Sequence, residues 1–250
     1  MMINMNDKEA FRLLDCDNEG NMIGSDQVCL MDPTPVERIP AVLDLLEKGD
    51  DYVRWRSAAV LCAWGQKVGF DYLMALAVNG APESLAVPHR IHGQDNFYDQ
   101  LALDIHLYCL ETKNEEEIKK GLRILLGRYA DHFFEGYLKM VLQRRAAPEL
   151  LNATCQALEA AWAAGLQYQA SQLLPVIYKT DELVGKQYLE RFMKLPAQTP
   201  DPLNNVVEAL GYSKELTSLP RLEVYLGHSN SAIRFTAKEA IKEFKKIHLL

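Results

Sequence analysis

No run of this chain approaches the ~18 consecutive apolar residues of a membrane-spanning helix, so no membrane role is expected. The N-terminus, Met1-Met2-Ile3-Asn4-Met5-Asn6-Asp7, has no basic region ahead of an apolar stretch, so no signal peptide is expected. Cysteine is sparse. The five present, Cys16, Cys29, Cys62, Cys109 and Cys155, are scattered, odd in number and form no CxxC pair. That pattern reads as buried reduced thiols in a cytoplasmic protein. GxSxG, a glycine-rich phosphate loop and HExxH are all missing, so the chain reads as non-enzymatic and without a cofactor. Sustained alternation of apolar and polar residues is missing too, and a sheet is not expected.

The formal net charge of −7 is unevenly placed. Residues 1–50 hold eleven Asp/Glu against four Lys/Arg, whereas residues 51–250 hold twenty-three of each. The whole excess therefore lies in the first fifth. Such a patch steers oppositely charged partners, and it serves solubility as well. Phosphate binding needs a basic stripe, and the terminal Lys238, Lys242, Lys245 and Lys246 are interrupted by Glu239 and Glu243. Nucleic acid is not an expected partner.

What is present is helix. Apolar spacing of three and four residues, punctuated by Gly and Pro, predicts helices at about 7–14, 34–48, 51–64, 71–78, 97–111, 114–128, 131–145, 148–164, 168–178, 181–194, 203–210, 214–226 and 231–248. Thr34-Pro35-Val36-Glu37 reads as a capping box with proline in the first turn, and Pro40 predicts a kink. Asp51 is expected to cap the helix that follows Gly49.

Two helical hairpins far apart share one pattern. Val42-Leu43-Asp44-Leu45-Leu46-Glu47-Lys48-Gly49-Asp50-Asp51-Tyr52-Val53-Arg54 is matched by Leu222-Glu223-Val224-Tyr225-Leu226-Gly227-His228-Ser229-Asn230-Ser231-Ala232-Ile233-Arg234. Neither hairpin can bury its apolar faces alone, so recurrence predicts stacked pairs. The pattern resembles HEAT repeats, over residues 34–66 and 213–247. The resemblance implies an all-α fold, a right-handed α-α superhelix of about five or six HEAT-like helical hairpins. It divides the chain into an acidic N-terminal helix and loop (1–33) and a repeat solenoid (34–250). It also implies that Asp51 with Arg54, and Asn230 with Arg234, are structural, bonding along the stack.

HEAT-like proteins mostly present a surface to a protein partner. The exceptions include hydroxylases that hold iron on His-Glu dipeptides, and none of the six histidines here precedes Glu. DNA glycosylases of this fold need a basic groove, and bilin lyases have no motif that separates them from this chain. Small acidic repeat proteins of this build look like bacterial immunity proteins. That resemblance implies neutralisation of a cognate toxin, with a basic toxin domain as partner and a monomer in isolation. The alternatives are a HEAT-like enzyme of the lyase or glycosylase type, or an adaptor subunit of a larger complex.

Three sets of residues are candidates for contact with that partner. Asp15 to Asp26 resembles an EF-hand loop, with Asp15, Asp17 and Glu19 as oxygen donors and Gly20 at the turn. Asp26 in place of Glu, and Pro33 and Pro35 where the exiting helix should run, favour a plain polar loop, so no metal is expected. The loop from Asn79 to Asn96 is longer than a helix connection needs and holds His89, Arg90, His92 and Asp95, followed by Tyr98. Arg90 and Tyr98 are the expected anchors, and pairing of Arg90 with Asp95 within the loop is the competing role. Trp55, between Arg54 and Arg56, is a surface candidate.

Overall fold

A computed structural model of the chain describes residues 5–82, 85, 90–91, 94–145 and 147–249. They are helical almost throughout, and the chain divides into two compact units, Met1–Leu125 and Leu126–Leu250. The one two-stranded pairing among the described residues is a two-residue antiparallel hairpin, β1 (Arg90–Ile91) and β2 (Gln94–Asp95), beside an isolated antiparallel bridge between Cys16 and Met22.

The first unit contains α1 (Met5–Asp15), α2 (Ser25–Cys29), α3 (Ile39–Lys48), α4 (Asp51–Ala63), α5 (Lys67–Asn79), α6 (Phe97–Thr112) and most of α7 (Glu115–Leu126). At its centre is α4, which packs against α1, α2, α3, α5 and α6. A helix covered from so many sides is apolar nearly all round. Trp55, Ser57, Ala58, Val60, Leu61, Cys62 and Ala63 are all buried. Close approach of α5 needs Gly69, because a Cβ there would lie 2.6 Å from the Ala58 carbonyl oxygen and 2.6 Å from the Cys62 nitrogen.

The second unit contains α8 (Tyr137–Arg145), α9 (Leu151–Ala163), α10 (Gln167–Gln172), α11 (Leu174–Thr180), α12 (Glu182–Met193), α13 (Leu203–Leu210), α14 (Ser218–Val224) and α15 (Ser231–His248). Its centre is α11, whose residues from Leu174 to Tyr178 are buried without interruption. That helix packs on α8, α9, α10, α12 and α13, and α13 in turn packs on α15.

Several boundaries depart from the sequence expectation. The predicted helix at 131–145 begins only at Tyr137, because a buried glutamine anchors the segment before it. Gln169, on α10, takes the Phe134 N–H on Oε1 at 3.1 Å, and its Nε2 donates to the carbonyls of Tyr129 and His132. The Tyr129 hydroxyl donates back to the Gln169 carbonyl at 2.8 Å. The predicted 168–178 helix breaks at Leu173, with Pro175 in the first turn of α11.

The capping box at Thr34 does not form. Val36–Arg38 makes a 3₁₀ turn with Pro35 at its N-cap and no side-chain cap. Pro40 sits in the first turn of α3, where no N–H is needed, and so opens the helix instead of kinking it. The cap of α4 is Asp50, not Asp51: Asp50 Oδ1 accepts the Val53 N–H at 2.8 Å, and Asp51 is the first helical residue. Among the described residues, no helix is long and apolar enough to cross a membrane, and all five cysteines are free.

Candidate functional site

The two hairpins that share a sequence pattern also share an arrangement. Asp50 caps α4 four positions before Arg54, and Asn230 caps α15 four positions before Arg234, its Oδ1 accepting the Ala232 N–H at 2.9 Å. Each arginine then turns back to backbone carbonyls preceding its helix. Arg54 Nε donates to the Leu46 carbonyl at 3.0 Å, and Arg234 donates to those of His228 and Ser229, both at 2.7 Å. These bonds lie within each hairpin, where the resemblance implied bonds along the stack. Arg54 does reach the following helix through its guanidinium, 5.2 Å from the centre of the Tyr72 ring.

The acidic loop is held from inside. Asp17 Oδ1 accepts the N–H groups of Glu19 at 2.9 Å and Asn21 at 2.8 Å, and Oδ2 accepts the Asn21 side-chain amide at 2.9 Å. The Asn21 bonds, and then those to backbone N–H groups, lower the Asp17 pKa below its ordinary value. Asp15 points elsewhere, into a two-pronged ion pair with Arg56 on α4. Arg38 clasps the loop by donating to the carbonyls of Cys16, at 2.7 Å, and Asp17. Asp15, Asp17 and Glu19 therefore do not converge on one point as the EF-hand resemblance would have them.

Beside the loop lies a cavity of about 480 Å³ lined by Arg12, Asp17, Asn18, Glu19, Glu37 and Arg38, with Leu13, Gly20 and Ala41. Glu19 and Glu37 are exposed. Arg38 is occupied with carbonyls, so Arg12 is the remaining cation in a lining that also holds Asp17, Glu19 and Glu37. Arg12, Glu37 and Arg38 were not among the candidate contact residues of the sequence. Arg38 ties to residues more than twenty positions away, and no local pattern announces such a contact. The missed cap had a signal: aligning the two hairpins on their arginines sets Asp50, not Asp51, opposite Asn230.

One expected anchor, Tyr98, and the surface candidate Trp55 are core residues. Tyr98 is 5% exposed and packs edge-on against Phe97, ring centres 5.3 Å apart. Trp55 is 8% exposed, between Tyr52 and Phe97 at 5.9 Å from each. The charged neighbours Arg54 and Arg56 suggested a surface position, but α6 covers that side of α4. His89 and His92 lie outside the described residues. For Arg90 and Asp95 the backbone is described, and the hairpin register sets them directly opposite one another.

The sequence reading also missed a polar recess in the second unit. Lys139 donates to Asn205 Oδ1 at 2.8 Å and pairs with Glu208, which also accepts from Gln143 at 2.6 Å. The Asn205 amide donates to Ser171 Oγ at 2.8 Å. Lys139, Gln143, Asn205 and Glu208 line a cavity of about 280 Å³ with Glu135, Tyr168, Gln172 and Asn204.

One buried carboxyl stands apart. Asp104 on α6 is 2% exposed, and its Oδ2 has no hydrogen-bond partner among the described residues. Burial lifts its pKa from 3.8 to about 7, against the hydrogen bond from Gln100 and with a small push from Asp26. Burial, and then the charge of Asp104, also raises the thiol pKa values of Cys29 and Cys62, which keeps both sulfurs protonated.

No protein-family model, no curated protein and no solved structure matches this chain.

Proposed function

We propose that this chain is a HEAT-like α-solenoid, a right-handed superhelix of helical hairpins, that binds a protein and does no chemistry. The parallel between Asp50 with Arg54 and Asn230 with Arg234 supports the repeat reading, as does the packing of helices on near neighbours in sequence within each unit. Its most specific form is an immunity protein that neutralises a basic toxin domain.

One observation carries this reading. The acidic excess of residues 1–50 lies largely on exposed side chains, and a cavity lined by Asp17, Glu19 and Glu37 opens among them. A basic surface meeting that patch gains in encounter rate, since complementary fields accelerate docking more than they tighten it. The test searches the genes beside this one for a toxin domain and pairs the chain with its product. Association should slow as salt rises, and Asp17→Asn with Glu19→Gln and Glu37→Gln should slow it at low salt. An association rate indifferent to both changes, or no complex at all, rejects the proposal.

A further inference from the structure

The second unit carries a pocket of different make-up from the acidic loop. α13 and α15 approach closely at Gly211, where a Cβ would lie 2.9 Å from the Ala240 Cβ. Thr236 Oγ1 bonds Asn204 Oδ1 across the same pair of helices at 2.6 Å. Beside this seam opens a cavity of about 310 Å³ lined by Glu208, Tyr212, Phe235, Thr236, Glu239 and Glu243, over Ala240.

Phe235 is 66% exposed although its helix has a separate buried stripe of Ile233, Ala237, Ala240 and Phe244. The core therefore does not account for it. Tyr212 already receives a cation: the Lys179 ammonium lies 5.0 Å from its ring centre. Of the three carboxylates, Glu208 is committed to Lys139 and Gln143. Among the described residues, Glu239 and Glu243 pair only along their own helix, with Lys242 at 2.6 Å and Lys246 at 3.7 Å. Such pairs contribute little and exchange readily. Neither lysine lines the cavity.

We propose that this cleft between α13 and α15 takes an arginine side chain of a partner protein, its guanidinium stacked on Phe235 and forked to Glu239 and Glu243. The planar cation matches both an aromatic face and a pair of carboxylates, whereas an ammonium offers a point charge and no plane. The proposal rests on the partner-binding reading but uses residues of the other unit, so each can fail without the other.

The test titrates the full chain with a capped tri-arginine peptide, and with tri-lysine and tri-citrulline controls, following backbone amides by NMR. Saturable shifts centred on α13 and α15 are expected, with tri-lysine weaker and tri-citrulline silent. Phe235→Ala should weaken binding by about fivefold, the scale of an exposed cation–π contact. Glu239→Gln with Glu243→Gln should weaken it further, with thermal unfolding of every variant unchanged. The Asp17, Glu19 and Glu37 triple variant should bind the peptide as the unaltered chain does. Shifts centred on residues 1–50, tri-lysine binding as tight as tri-arginine, or affinity untouched by Phe235→Ala would each overturn the assignment.

Discussion

Arg56 grips Asp15 with both terminal nitrogens, Nη1 to Oδ2 at 3.0 Å and Nη2 to Oδ1 at 2.7 Å, joining α4 to the end of α1. Each side chain is 16% exposed, and Nη2 also reaches the Leu14 carbonyl at 3.2 Å. Removing the arginine leaves a mostly buried carboxylate without its cation and removes the bond to the Leu14 carbonyl. Arg56→Ala is expected to cost about 2 kcal/mol in chemical denaturation, and Asp15→Asn somewhat less. A double-mutant cycle with no coupling would show the pair to be incidental.

Asp104 gives the first unit a pH dependence of definite sign. Its folded-state pKa of about 7 exceeds the ordinary 3.8. The stability that this group contributes is therefore complete below about 3.8 and is lost as pH rises through about 7. Unfolding free energy measured against pH should carry a falling component across that window, at most about 4 kcal/mol. In Asp104→Asn that component disappears, and the variant gains on the unaltered chain at alkaline pH. A parallel pair of curves would contradict the buried-acid assignment.

Gln169 replaces a missing turn of helix by bonding three backbone groups of the 129–134 segment. Gln169→Leu keeps the approximate volume but removes all three bonds. A loss of about 3 kcal/mol is expected, with faster amide exchange at Phe134 as its local signature. Unaltered exchange there would mean that the segment holds itself.

Asp50 should behave as a helix cap. Asp50→Ala is expected to cost about 1 kcal/mol in thermal or denaturant unfolding, and Asn230→Ala a similar amount in the second unit. Asp50→Ser should restore most of the loss, because a hydroxyl also accepts the N–H. A serine variant no better than alanine would argue against capping as the cause.

Helix type was legible wherever a three-to-four-residue apolar rhythm met a clear stop: α13 and α15 fall where the sequence placed them. It was less legible where a side chain distant in sequence decides the backbone. Gln169 lies some thirty-five positions beyond the segment that it anchors, and Arg38 clasps a loop about twenty positions before it. Trp55 and Tyr98 misled for a related reason. Charged neighbours describe a helix seen alone, and α4 is enclosed on nearly every side. The acidic segment was visible as composition, but the cavity that it borders required Glu37 and Arg38, in the 3₁₀ turn before α3, to come round beside it.

The tryptophans are split between the two units. Trp55 and Trp64 are buried in the first unit, Trp64 donating its indole N–H to the Val28 carbonyl at 3.1 Å. Trp162 belongs to the second, edge-on to Phe192 at 5.2 Å with the Arg191 guanidinium 4.5 Å from its ring. Nature has thus installed an optical label in each half, so emission from chains keeping only Trp162, or only the other two, reads out the melting of one half at a time.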